Sequence, residues 1–166
     1  MTAADTDTVL RLNAADVRHL APLDRPGLTR LRTWATQADV VQDGDAVVGF
    51  VVTFAPGTPY DSPNYRWFAA VYGTRFSYLD RIVIAASHRR RGLASRIYDD
   101  LEDAARPRGR MTLEVNVDPP NAASLAFHAA RGYQEVGRRG EPGHVVALLA
   151  KVLDAGGRQA EGASHP

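Results

Sequence analysis

Read for its alternation of apolar and polar positions, the chain changes period several times, and each change marks a predicted element. Residues 9–12 read as a short first strand, and Asn13-Ala14-Ala15-Asp16 reads as a helix start, with Asn13 as N-cap and Val17, Leu20 and Leu23 on the buried side. Leu28, Leu31 and Trp34 keep a helical spacing beyond Pro26-Gly27 and predict a second helix. Residues 38–41 and 46–54 flank Gln42-Asp43-Gly44-Asp45, where the Asp-Gly pair predicts a β-hairpin. Gly49 inside its second strand predicts a bulge or a close backbone approach. Ile82, Val83 and Ile84 form a β-branched run of the kind found in buried strands, here near 76–84. Leu93, Ile97 and Leu101 then recur every four residues, Asp99, Asp100, Glu102 and Asp103 fill the opposite face, and Pro107 marks a stop. Residues 111–117 alternate, with Leu113, Val115 and Val117 apolar and Thr112, Glu114 and Asn116 polar, as in a strand with one chemically active side. Asn121 is a good N-cap for a helix over 122–131 closed by Gly132. Two last strands, 133–138 and 144–153, flank Gly140-Glu141-Pro142-Gly143.

Residues 55–75 follow no simple period. Three prolines and Gly57 break them, yet Tyr60, Tyr65, Trp67, Phe68 and Tyr72 supply five aromatics. Two readings are compatible: a short helix over 65–72 tucking Trp67, Phe68 and Val71 into the core, and a lid whose Tyr60, Asp61, Asn64, Tyr65 and Arg66 shape a pocket.

Composition narrows the function. At 166 residues one domain over 9–153 is expected, large enough to bury about two-thirds of its unfolded surface; residues 1–8 and 154–166 lack core-forming patterns and are expected to be disordered. Cysteine is absent, which excludes disulfides, thiolate metal sites and a cysteine nucleophile, and suits a reducing cytoplasm. No stretch approaches the ~20 apolar residues of a membrane span, and no metal site is suggested. A net charge of +1 gives no general attraction to nucleic acid, and the Arg89-Arg90-Arg91 cluster does not extend into a stripe.

That cluster does have a use. It leads into Gly92-Leu93-Ala94 between a strand and a helix, where a helix start offers unpaired N–H groups and a partial positive charge to an anion. Neither a Walker nor a dinucleotide-binding glycine pattern is present. Farther on, Asn121 and His128 are seven residues apart on one helix face and close in sequence to the strand carrying Glu114, so the three can approach one cleft.

The loop matches R/Q-x-x-G-x-G/A with Arg89, Gly92 and Ala94, and Leu113-Glu114-Val115, Asn121 and Phe127-His128 followed by Gly132-Tyr133 match a second block. Together they resemble the GNAT superfamily of acyl-CoA N-acyltransferases. The resemblance implies an α/β (α+β) fold: a mixed, twisted sheet of six or seven strands with helices on both faces, the central strands 76–84 and 111–117 splayed to admit acyl-CoA. It implies that the amides of 89–94 (Arg89, Arg90, Arg91, Gly92, Leu93, Ala94) hold the pyrophosphate of coenzyme A. Main-chain groups of Ile82, Val83 and Ile84 would pair with the pantetheine arm, with Asn121, Ser124, Phe127 and His128 beside it. Glu114 falls on the residue that serves some members as general base, with Asp80 and Tyr78 as competitors from the neighbouring strand, expected on the face of Ile82 and Ile84. His128 falls where a tyrosine usually protonates the thiolate, and is either that proton donor or a packed helix histidine. Tyr60, Asn64, Tyr65 and Arg66 are the acceptor-site candidates. Expected is an acetyl-CoA-dependent N-acetyltransferase acting on a small-molecule, peptide or protein amine, without metal, by direct attack in a ternary complex; a non-catalytic acyl-CoA sensor is the alternative, and a homodimer is left open.

Overall fold

A computed structural model describes residues 1–16 and 20–154. The elements are α1 (Thr6–Ala15), α2 (Arg25–Trp34), β1 (Gln37–Asp43), β2 (Ala46–Phe54), α3 (Pro63–Tyr72), β3 (Ser77–Ile84), α4 (Leu93–Ala105), β4 (Arg110–Asp118), α5 (Ala122–Ala130), β5 (Gln134–Glu141) and β6 (His144–Val152), with single 3-10 turns at Ala86–His88 and Arg106–Arg108. The six strands make one mixed sheet in the order β1-β2-β3-β4-β6-β5. Every pairing is antiparallel except β3 with β4.

Helices cover both faces, as expected. Val9 of α1, Leu28 and Leu31 of α2 and Phe68 of α3 pack on one side against Phe50, Val52, Tyr78 and Val83. Tyr98, Leu101 and Ala105 of α4 pack on the other against Leu79, Met111, Leu113 and Leu149, joined by Phe127 of α5. The Asp-Gly hairpin forms, and a Cβ at Gly49 would stand 2.5 Å from the Val83 carbonyl oxygen, the close approach its position implied.

The central feature is the parallel pair. β3 and β4 pair only at Ser77 with Met111 and at Tyr78 with Thr112, and diverge beyond. β3 also carries a bulge: Thr53 faces Leu79 and Val52 faces Arg81, so Asp80 has no partner on β2. The extra residue shifts the alternation, so Tyr78 and Val83 share one core cluster while Leu79 and Ile82 pack with the other. Tyr78 and Asp80 therefore do not share a face with Ile82 and Ile84.

Other expectations change as well. Residues 9–12 are helical, not a strand, and α1 already includes Thr6, Asp7 and Thr8, so the first eight residues are not without structure. Val9 and Asn13, four apart, face inward, and Asn13 is a buried helix residue rather than an N-cap. An apolar run of three or four residues fits either period, and the core contact of Val9 decides it. Val17 lies outside the described residues, as do 155–166; Leu20 and Leu23 follow α1 in non-helical chain. In α3, Phe68 is fully buried, Trp67 half-buried, and Val71 50% exposed rather than core. In α4 the inward stripe is Tyr98, Leu101, Glu102 and Ala105, rotated from the predicted one. Glu102 turns inward because Arg131 (3.1 Å), Lys151 (2.6 Å) and Tyr133 (3.1 Å) surround its carboxylate. Among the described residues no helix is long and apolar enough to cross a membrane, and no three His, Cys, Asp or Glu side chains are grouped to hold a metal.

Candidate active site

Where β3 and β4 part, the gap opens into a cavity of about 410 Å³. Leu79, Asp80, Arg81 and Ile82 of β3 form one wall, and Leu113, Glu114, Val115 and Asn116 of β4 the other. Asn121 at the N-cap of α5, Ser124 and His128 on that helix, Tyr98 of α4, Tyr60 ahead of α3, and Ser62 and Pro63 at its start also line it. Glu114, Asn121 and His128 thus meet in one cleft, as their spacing implied.

Glu114 is buried. Its carboxylate accepts hydrogen bonds from the Tyr78 hydroxyl (2.5 Å) and from Asn64 Nδ2 (3.2 Å). Burial raises its pKa to about 7 and the nearby Asp80 charge adds to that, while the two hydrogen bonds and Arg81 oppose it. A carboxyl group in this state takes up or releases a proton near neutrality.

Asp80 lies across the cavity. The Tyr60 hydroxyl donates to its Oδ1 and Arg81 Nε to its Oδ2 (2.9 Å). Burial pushes its pKa up and Arg81 pulls it back. Arg81 is itself held by Asn13 Oδ1 (2.7 Å) and the Ala21 carbonyl (2.9 Å), which ties the bulge to α1. Burial, together with the carboxylates beside them, drives the pKa values of Tyr60 and Tyr78 upward, so both phenols stay protonated and act as donors.

His128 is 4% exposed. Its Nδ1 lies 2.7 Å from the Ser124 carbonyl oxygen and 3.3 Å from Ser124 Oγ, and its Nε2 lies 2.6 Å from the Tyr98 hydroxyl oxygen. Burial lowers its pKa; Arg131 works in the same direction, and the Ser124 carbonyl and Glu102 against it. Asn121 caps α5 by accepting from Ser124 N (3.2 Å). Phe127 packs edge-on against Tyr98 with ring centroids 5.1 Å apart.

At the far end of β3 lies the loop. Gly92 sits at the N-cap of α4 with φ 77°, and no side chain caps that helix. Leu93 and Ala94 open its first turn. Arg90 is left-handed (φ 59°) and exposed. Arg89 is turned back, donating to the Ile84 carbonyl (2.9 Å) and to Asp16 (3.2 Å), and Arg91 lies 3.7 Å from Asp43. β3 pairs with β2 through Ile82, Val83 and Ile84, and its opposite edge meets no strand there. Of these three side chains, Ile82 lines the cavity and Val83 is core.

Two acceptor candidates are placed elsewhere. The Tyr65 ring is core, and its hydroxyl fastens the chain before α3 by donating to the Ala55 carbonyl (2.8 Å) and accepting from Thr58 N (3.0 Å). Arg66 is exposed and paired with Asp61 (2.8 Å) outside the cavity. Tyr60 lines the cavity, and Asn64 reaches it through Glu114. Tyr98, Arg81 and Asn13 were missed as site residues; for Tyr98, the i, i+3, i+7 relation to Leu101 and Ala105 was the available signal.

The model of the acetyltransferase (GNAT) family matches residues 11–133, about three-quarters of the chain. The chain belongs to the GNAT family. Solved structures carry the same fold at low identity. The protein smu.2055 from Streptococcus mutans UA159 is 14% identical, with a TM-score of 0.71 over 93% of this chain and 97% of that one. The ribosomal-protein-S18-alanine N-acetyltransferase of Escherichia coli is 16% identical, with a TM-score of 0.64 over 95% and 94%. The putative acetyltransferase yncA of Salmonella typhimurium, solved with acetyl-CoA, is 16% identical, with a TM-score of 0.64 over 97% and 95%. No curated protein matches the chain. Acetyltransferase is the activity class this GNAT membership carries.

Proposed function

We propose that this GNAT protein is an acetyl-CoA-dependent N-acetyltransferase that moves the acetyl group to a primary amine by direct attack in a ternary complex. The observation that carries this is the gap between β3 and β4, which opens over Glu114, together with the uncapped helix N-terminus at Gly92 in the loop that follows β3. The backbone amides of 92–94, with Arg90 beside them, would hold the diphosphate, and the unpaired edge of β3 the pantetheine arm. One structural neighbour described as an acetyltransferase was solved with acetyl-CoA, which supports the ligand.

An alkylammonium must lose a proton before it attacks a thioester. Glu114, with a pKa of about 7, accepts it, and Tyr78 and Asn64 hold the carboxylate in place. With no cysteine in the chain, direct transfer needs no acyl-enzyme. The acceptor enters past Tyr60, where a second hollow lined by Leu31, Trp34, Tyr60 and Arg81 adjoins the first.

The test is calorimetric titration with acetyl-CoA, followed by thiol release with spermidine, an aminoglycoside and an alanine-terminated peptide as acceptors. Binding with release that depends on one of the amines is expected. Binding without release from any would make the protein an acyl-CoA sensor, and no binding would overturn both readings.

A further inference from the structure

The thiolate that leaves an acyl-CoA must receive a hydrogen bond or a proton, and position 128, where the GNAT resemblance places a tyrosine, holds a histidine. The local geometry decides what that histidine can do. The Ser124 carbonyl, 2.7 Å from Nδ1, can only accept, so Nδ1 carries the hydrogen. In the neutral ring Nε2 is then an acceptor, and the Tyr98 hydroxyl 2.6 Å away donates to it. Burial and Arg131 favour that neutral ring over the influence of Glu102. At the Nε2 end the available hydrogen is Tyr98's.

Tyr98 is held for such a task. Its ring is 2% exposed and braced edge-on by Phe127, His128 and Tyr133, with centroids at 5.1, 5.3 and 6.1 Å. Among the described residues its hydroxyl has no hydrogen-bond partner besides His128. Both residues line the cavity between β3 and β4.

We propose that Tyr98 is the hydroxyl that meets the departing thiolate and that His128 is its positioning residue, so that α4 supplies the donor expected from α5. The inference rests on the acetyl-CoA reading above. As the acceptor nitrogen bonds to the acetyl carbon, the C–S bond breaks with its electron pair on sulfur, and Tyr98 turns its O–H from Nε2 to that sulfur. The proton passes to sulfur, and Tyr98 regains one from solvent as products leave. Glu114 returns to solvent the proton it took from the ammonium, and the nitrogen sheds a second proton to solvent as the amide forms. The sum is ammonium plus thioester giving amide, thiol and one solvent proton.

Three variants test it, with acetyl-CoA and the same amines. Tyr98→Phe keeps the ring and should lower kcat on the order of 100-fold, with acetyl-CoA Kd changed by less than about two-fold. His128→Gln, whose amide oxygen can still accept from Tyr98, should retain most of kcat, whereas His128→Ala should fall with Tyr98→Phe. Nitrogen NMR of the His128 ring should show Nε2 unprotonated and shifted in Tyr98→Phe. A Tyr98→Phe variant with wild-type kcat, or a ring protonated at Nε2 at neutral pH, overturns this assignment alone. A wild type that releases no thiol with any amine overturns the acetyltransferase reading and this assignment with it.

Discussion

Glu114 shows how one residue's environment becomes a pH dependence. In solution a glutamate is ionised above about pH 4.3; desolvated in the cavity wall between Tyr78 and Asn64, with Asp80 close by, it holds its proton to about pH 7. The folded state therefore binds more protons than the unfolded chain between those values. The stability this contributes is complete below the unfolded pKa and is lost as pH rises through 7. At about 1.4 kcal/mol for each pKa unit, ionising Glu114 in place costs on the order of a few kcal/mol. Glu114→Gln cannot ionise, so its melting temperature should gain on the wild type as pH climbs from 5 to 8.5, by several degrees at the alkaline end. If Glu114 is the base, kcat/KM of the wild type should rise through pH 7 and the variant should lose that acidic limb. A melting difference independent of pH would show that the carboxyl does not titrate in this range. Glu114 was legible because Leu113-Glu114-Val115 alternates in a strand. Tyr98 was less so, since the leucine and isoleucine spacing of its helix points to a stripe one position away and competes with the i, i+3, i+7 relation of Tyr98 to Leu101 and Ala105; the fold shows which stripe meets the sheet.

At the scale of elements, the parts legible in the sequence are those fixed by local chemistry. The Asp43-Gly44 turn set the β1-β2 hairpin, Asn121 capped α5, and Gly92 placed the loop before α4. What the sequence could not reveal is set by tertiary contact. The bulge at Asp80 moves that residue and Arg81 to the side of α1 and Tyr60, and no periodicity announces one extra residue in a strand. The inward turn of Glu102 depends on Arg131 and Lys151, 29 and 49 positions away. Gly92 yields the element-scale prediction. At φ 77° a side chain is strained, although the space around the missing Cβ is open. Gly92→Val should thus shift the loop rather than disturb the core, cost about 1–2 kcal/mol of stability, and weaken acetyl-CoA binding at least about ten-fold by withdrawing the first-turn amides. Calorimetry on the folded variant checks this. Unchanged affinity would show that the loop does not hold the diphosphate.

At the scale of the molecule, the sheet is two antiparallel halves, β1-β2-β3 and β4-β6-β5, joined along the centre by two residue pairs. A continuous sheet would have closed the cavity and satisfied the β3 edge; here that edge meets no strand beyond Tyr78. The halves are also bridged by side chains at the cavity, Tyr78 of β3 and Asn64 of α3 reaching Glu114 on the second. A ligand that lies along β3 with its phosphates on α4 makes contacts that exist only in the folded state. It must then stabilise the fold by mass action, by about 2.7 kcal/mol at a hundred times its Kd. For a domain of this length that corresponds to roughly 5–10 °C in Tm. Acetyl-CoA should give a shift of this size in calorimetric melting, Gly92→Val should lose most of it, and Glu114→Gln should keep it, because the role proposed for Glu114 concerns the acceptor's proton and not the phosphates. An equal shift in wild type and Gly92→Val would place the ligand away from the α4 loop, and the gap between the half-sheets would then need another occupant.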